Sequence, residues 1–451
     1  MKFQYYYIFI ALLISSVCLA QNNDAFQDQL NEILSLRSLS NDSKFSFDEK
    51  IKYAEKAVTL SKRTKVDTLI LGSKRNLSML FIQNGDFDSY KKISFSNLDY
   101  ANKINDTISI AHSNYFLGFY YHLLEVHDSA YYYYYQSTKY YKASNDIKRQ
   151  GQVLVNMANI QEIERDYVGG ENNAIKSIAL IEQLPESERN LETLWNANNT
   201  IAIVSAELEQ YDKALEYYNK TLSICEKMNN PYENKLFSNI NIAALYRRKG
   251  NFKIAEQLYK KLKKDENVYD FDPTSYSIIL SGLAQSMSKN KSASNDTIKR
   301  LFNEAYAISE SEEDQVGLLS ISMDMSEFYL DINNIDSARF FVDNAYDIGK
   351  QLTANETILE ALLLKSKIES EDEAKTSLNR YIKLSDSLQK AERSIRNKFA
   401  RIDYETDQIK AEKDQATKER LLFLLLSIGL FITLTLLYII ITQRSKNKEL
   451  K

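Results

Sequence analysis

The chain has 451 residues, and its 57 Lys+Arg against 61 Asp+Glu leave a net charge of −4. That balance offers no basic field for a nucleic-acid partner. Eleven Gly and three Pro are too few turn-formers for a β-sandwich or an α/β fold, so the composition points to an all-α protein.

Residues 1–20 read as a secretory signal peptide. Lys2 supplies the positive start, Tyr5–Val17 the apolar stretch, and Cys18-Leu19-Ala20 the small-residue end before Gln21. Val17 stands where lipoprotein processing needs a small residue, which argues against lipidation of Cys18. With the leader removed, Cys225 is the only cysteine left. No disulfide can then form within the chain, so its stability must come from packing.

Residues 21–370 carry a periodic pattern. A small residue recurs in a first helix at Gly118, Ala158, Ala202, Ala243 and Ser326, with Tyr121, Gln161, Ser205, Tyr246 and Tyr329 three positions on. Turn signals follow at Asp166-Tyr167, Gln210-Tyr211, Gly250-Asn251-Phe252 and Asn333-Asn334-Ile335. A second small residue then opens the next helix, at Ala130, Gly170, Ala214, Ala255 and Ala338. Four residues later stand Tyr134, Tyr218, Tyr259 and Val342, with Ala174 as the exception. Two antiparallel helices approach closely only where both lack bulk, and the aromatics fill the space between one pair and the next.

This pattern resembles the tetratricopeptide repeat, which implies an α-solenoid with a protein- or peptide-binding groove. The steps from Ala130 to Gly170, Ala214 and Ala255 are 40, 44 and 41 residues, against about 34 in that repeat. The period alone would suit HEAT-type arrays, but the small–small–aromatic code has a packing reason behind it and decides for tetratricopeptide-like repeats. The extra residues are expected to extend helices or loops on one edge. Weaker copies stand at Leu80–Phe87 and, after a polar insertion at Ser288–Asp296, at Ile298–Ala305.

From residue 377 to 420 the chain has neither Gly nor Pro, and Leu388, Ile395, Ile402 and Ile409 recur every seven residues. That spacing predicts a coiled-coil seam between two copies of the chain, the alternative being a single solvated helix lying on the last repeats. The second column, interrupted by Lys398 and Glu405, makes the seam weak. The segment Leu421–Ile441, LLFLLLSIGLFITLTLLYIII, has no charge and is long enough to cross a bilayer as one helix. Its Ser427, Thr433 and Thr435 should bond back to their own helix carbonyls. Residues 442–451 form a short basic tail.

The order of leader, helical repeats, charged helix, single span and basic tail is similar to the sensor half of tetratricopeptide-repeat histidine kinases, or of membrane regulators with a helix-turn-helix output. Residues 398–451 carry the closest local likeness. The resemblance implies an anchor in a bacterial inner membrane, periplasmic repeats and a separate cytosolic signalling partner. The alternative is a periplasmic scaffold or chaperone-like binder whose span is only an anchor, and a coiled coil in register with the span favours signalling. No output domain follows in this sequence.

Little points to chemistry. His112, His122 and His127 lie in one repeat without metal-ligand spacing, and the echo of a phosphoacceptor box in Val126-His127-Asp128 falls in a repeat turn. No phosphate-binding or nucleophile-elbow motif occurs, so no catalysis, metal or cofactor is expected. Two binding surfaces stand out. Peptide-binding members of the resembled family place an Asn on the groove face of the first helix, which here falls on Asn76, Asn156, Asn199 and Asn241. An amide can donate to and accept from one peptide unit at once. The run Tyr131, Tyr132, Tyr133 and Tyr135 offers an aromatic surface on the opposite helix.

Overall fold

A computed structural model describes residues 26–449; the expected signal peptide, residues 1–20, lies outside them. Among the described residues every regular element is a helix. The chain divides into two compact units, residues 1–396 and 397–451.

The first unit is built from helix pairs. Helix α1 covers residues 26–39, followed by α2 (Phe47–Thr64), α3 (Asp67–Gln83), α4 (Phe87–Lys103), α5 (Thr107–Leu123), α6 (His127–Ala143), α7 (Ile147–Ile163) and α8 (Tyr167–Ile181). Then come α9 (Glu188–Glu207), α10 (Tyr211–Cys225), α11 (Tyr232–Arg248), α12 (Phe252–Lys263), the short α13 (Asn267–Phe271), α14 (Pro273–Asn290) and α15 (Asn295–Ser311). The last are α16 (Gln315–Asp331), α17 (Ile335–Gln351), α18 (Asn355–Ile368) and α19 (Glu371–Glu449), within which the first unit ends at Arg396.

One turn repeats along the array and explains its long period. From α3 to α7 each helix has 17 residues, and a three-residue turn follows. The middle turn residue is left-handed, as Gly85 at φ +72°, Asn105 at +55°, Glu125 at +56°, Asn145 at +56° and Arg165 at +63°. The next backbone N–H then reaches back to close the helix end: Asp86 to the Phe81 carbonyl at 2.9 Å, Asp106 to Ala101 at 3.0 Å, Asp166 to Gln161 at 2.7 Å. This is a Schellman closure, and the same Asp then caps the following helix. Asp86 accepts from the Ser89 N–H at 3.0 Å and Asp146 from Arg149 at 3.1 Å. The additional residues are therefore shared by both helices of a pair rather than placed on one edge. The apparent insertion at 288–296 is another such turn: Lys291 is left-handed at φ +52° between α14 and α15, and Ser294 caps α15.

The packing code is realised. Ala130, Ala214, Ala255 and Ala338 have no exposed surface, and neither do Ala158, Ala202, Ala243 and Ser326. Ser326 Oγ donates to the Ala338 carbonyl at 2.8 Å, joining the two small positions of one pair. At Gly118 an added Cβ would stand 2.5 Å from Cδ1 of the buried Tyr134. An Ala255→Leu substitution should accordingly overpack the α11–α12 crossing and destabilise the chain by about 1–3 kcal/mol. Thermal unfolding of the full-length protein checks this, and an unchanged midpoint would refute the crossing.

In the second unit, Lys398–Thr442 is a helix long and apolar enough to span a membrane. Its apolar side chains lie in the open, Leu421 at 59 % and Phe423 at 76 % exposure. Ser427 donates to the Phe423 carbonyl at 2.5 Å, Thr433 to Leu430 at 2.8 Å and Thr435 to Phe431 at 2.7 Å, so each hydroxyl is satisfied within the helix.

Candidate functional site: the inner groove of the repeats

First helices of successive pairs pack on one another, α7 on α9, α11 on α14 and α14 on α16, which puts them on the inner, concave side of the array. The curve brings distant repeats together. Arg165, in the α7–α8 turn, forms an ion pair with Glu356 at the start of α18. A cavity of about 490 Å³ lies there, lined by Ile163, Thr353, Glu356, Leu388 and Ala391 among others.

Two further cavities open on first helices, and their chemistry differs. In the N-terminal half, a cavity of about 380 Å³ is walled by Arg75, His112, Arg149 and Arg189 from α3, α5, α7 and α9, with Met79, Tyr115, Phe116, Tyr141 and Gln152. In the C-terminal half, a cavity of about 410 Å³ mixes Arg247, Arg248 and Lys289 with Asp324, Glu327 and Glu360, beside Phe252, Val316, Leu319 and Met323. There Arg247 Nη1 donates to Asp324 Oδ2 at 2.8 Å and also to Gln285, while Ser281 Oγ donates to the same carboxylate oxygen at 3.0 Å. Near the end of α7, burial and the neighbouring Glu207 push the Glu162 carboxyl up to about 7.

The four asparagines fall on first helices, α3, α7, α9 and α11, and all are half-buried. Asn76 bonds to the preceding repeat, donating to Ser40 Oγ at 2.6 Å and accepting from Asn41 at 2.9 Å. Asn241 Nδ2 approaches Asn199 Oδ1 at 3.5 Å, so these two amides stand next to each other across adjacent repeats.

The tyrosine run does not form one exposed face. Tyr131 is buried, Tyr133 and Tyr135 are half-buried, and only Tyr132 is exposed, at 40 %. A run of consecutive residues points all round a helix, and the pair crossing takes one side of it. Tyr133 stacks on Tyr121 of α5 with centroids 5.5 Å apart, and Tyr131 on Tyr135 at 6.5 Å.

Of the predicted seam, Leu388 lines the cavity beside Thr353 and Glu356 within the first unit and so packs toward its own chain. Ile402 is half-buried and Ile409 is 53 % exposed, while the Ile395 side chain lies outside the described residues. Among the described residues no group of His, Cys, Asp and Glu is arranged to hold a metal ion. His122 and His127 nonetheless come within 6.4 Å across the α5–α6 turn, and His127 Nδ1 lies 2.5 Å from Glu164 Oε1.

The basic wall escaped the sequence reading because its members do not share a repeat position. Counted from the first residue of each helix, Arg75, His112, Arg149 and Arg189 lie progressively nearer the start. They descend about a turn per repeat through α7 as the superhelix twists, and a search at fixed period does not see a diagonal.

Residues 192–262 match the tetratricopeptide repeat family. No curated protein matches the chain by sequence. Among solved structures, the apo form of RapI is similar with a TM-score of 0.58 at 13% identity, over 82% of this chain and 98% of that one. A Rap protein complexed with competence and sporulation factor is similar at 0.53 and 14% identity, over 81% and 99%. The apo form of the quorum sensor NprR from B. thuringiensis is similar at 0.53 and 13% identity, over 71% and 87%. At these identities the likeness is one of fold. The chain is an all-helical solenoid of tetratricopeptide-like repeats, followed by a helix apolar enough to span a membrane.

Proposed function

We propose that this protein is a membrane-anchored, non-catalytic receptor or adaptor whose repeat groove binds an extended peptide segment on the outer face of the inner membrane. The observation that carries the reading is the pair of polar cavities on the first-helix face, each spanning several repeats. Such a surface can read a ligand that is itself extended. Structures of the same fold include a Rap protein complexed with competence and sporulation factor and a Rap conjugation gene regulator in complex with the Phr* peptide, which supports a peptide as the ligand class. Amides at Asn199 and Asn241, already side by side, would bond successive peptide units. The helix at 421–441 anchors the chain, and the leader sets the repeats outside. Regulation then passes through residues 377–420 to a separate cytosolic protein, with homodimerisation through the remaining seam positions.

Two measurements test this. Alkaline phosphatase fused after Lys350 should be active and fused after Lys451 inactive; the reverse would overturn the orientation. For binding, the full-length chain in lipid nanodiscs is used to select from a random peptide library. Selected peptides should protect the amides of α5, α7, α9 and α11 from hydrogen exchange. Protection confined to second helices, or no selection at all, would overturn the groove reading.

A further inference from the structure

Between α8 and α9 the array departs from its three-residue turn. Residues 182–187 join the two helices, Pro185 stands among them, and no left-handed residue closes α8. The departure falls in the longest step of the pattern, from Gly170 to Ala214. A cavity of about 430 Å³ lies beside this connection, formed with α8, α9 and α10, and none of its residues lines the two groove cavities. Its apolar wall is Ile181, Leu184, Pro185, Leu191, Leu194 and Ile224.

Asn190, in the first turn of α9, is 5 % exposed and lines the cavity. Its Nδ2 donates to the Pro185 carbonyl at 2.8 Å. That bond fixes which way the amide points, because the reverse orientation would set oxygen against oxygen. The Oδ1 so placed is buried and meets no donor among the described residues. An acceptor buried in this way is costly, so the position calls for a bound group that supplies a donor. Asn198, also buried on the same wall, has its Nδ2 committed to the Leu194 carbonyl at 2.7 Å, which leaves its oxygen to accept as well. Charges on the wall are matched, two lysines with two glutamates. Lys227 holds Glu186 at 2.5 Å, while Lys220 pairs with Glu216 at 2.7 Å and feels the charge of Glu182.

We infer that this cavity binds a small neutral molecule with an aliphatic body and an N–H or O–H donor at its polar end, Asn190 Oδ1 receiving the donor. A charged head is disfavoured because the wall has no net charge to match it. A cavity of this size, lined by apolar side chains with a few polar groups to orient the ligand, has the form of a small-molecule site. The site is separate from the peptide groove and does not depend on it. Leu191 and Ile224 belong both to its wall and to the cluster around Trp195, the one tryptophan of the chain. Trp195 Nε1 donates to Ser238 Oγ at 3.1 Å, so the indole is a fixed reporter beside the cavity.

The test uses the full-length chain in nanodiscs with fluorotryptophan incorporated, so that Trp195 gives the protein's one fluorine resonance. The probes are hexanamide and pentyl methyl ketone, which share a shape and differ in that the ketone has no donor. Hexanamide should move the resonance saturably, with half-effect on the order of 1 mM for a ligand of this size. The ketone should bind at least about tenfold more weakly, because it leaves Asn190 Oδ1 unpartnered. Asn190→Ala should bring the two probes to similar affinity. Ser223→Phe, at an exposed residue of the wall, should block both probes and leave the melting midpoint unchanged. The probe pair and Ser223→Phe decide the matter even where Asn190→Ala does not fold. No saturable shift with hexanamide would overturn the site. Equal affinity for amide and ketone in the unaltered chain would overturn the donor assignment and leave Asn190 Oδ1 to a buried water. Binding that survives Ser223→Phe would place the probe elsewhere and overturn the inference as well.

Discussion

Replacing Arg247 by Met should destabilise the repeat unit by about 3–5 kcal/mol, among the largest effects of a single substitution in this chain. Asp324 is 8 % exposed and its Oδ2 is held by Arg247 at 2.8 Å and Ser281 at 3.0 Å. Burial pulls its carboxyl upward and Arg247 pulls it back. Without the guanidinium, the carboxylate keeps a single hydroxyl donor among these partners, and a buried anion with one donor is costly. The melting midpoint should fall by about 5–10 °C. The double variant Arg247→Met with Asp324→Leu should recover most of the loss, because removing both charges also removes their desolvation. If the single and double variants melt alike, the destabilisation comes from lost packing around Arg247 rather than from a stranded charge.

That pair also shows where the sequence could be read and where it could not. Arg247 and Asp324 are 77 residues apart, and no period relates them. Ala243 and Ala255, by contrast, announce themselves because a helix crossing needs two small residues a fixed distance apart. The solenoid, its pairing and its buried tyrosines follow from such local rules. The 40-residue period follows from them too, once Asp86, Asp106, Asp146 and Asp166 are recognised as caps after a left-handed residue.

What local rules cannot supply is the superhelical twist. It decides that Arg165 meets Glu356, and that four basic residues from four helices share one cavity. The pair crossing at Ala130 and Tyr134, by contrast, decides which side of the tyrosine run is covered, and so Tyr131 lies inside and Tyr132 outside. Leu388 shows the same limit from the other direction. A seven-residue spacing states that one face of a helix is apolar, but not whether that face meets a second chain or the helix's own repeats.

Glu162 gives the second large effect, and it is a pH dependence. Its carboxyl sits at the end of α7, half-buried, facing Glu207 of α9, which pairs with Arg248 of α11 at 2.6 Å. Tyr167 of α8 and Tyr218 of α10 feel the same charge. Arg248 is committed to Glu207, and burial with Glu207's repulsion holds the folded Glu162 at about 7, against 4.5 as its ordinary value. Between those values the folded protein binds more protons than the unfolded chain, so stability must rise as pH falls through the window. At pH 8 the group is ionised in both states and the native state carries the penalty. At pH 4.5 and below the penalty has gone. A shift of this size corresponds to about 1–3 kcal/mol once partial solvent access is allowed for. Glu162→Gln should therefore stabilise the protein at pH 8 and flatten the profile between pH 8 and 5. Unfolding midpoints of the two proteins at a series of pH values measure the difference directly. A difference that stays constant across the series would mean that Glu162 titrates as an ordinary surface carboxylate. With the predicted behaviour, about half of the Glu162 charge is absent near pH 7, and its repulsion of Glu207 weakens as the surroundings acidify.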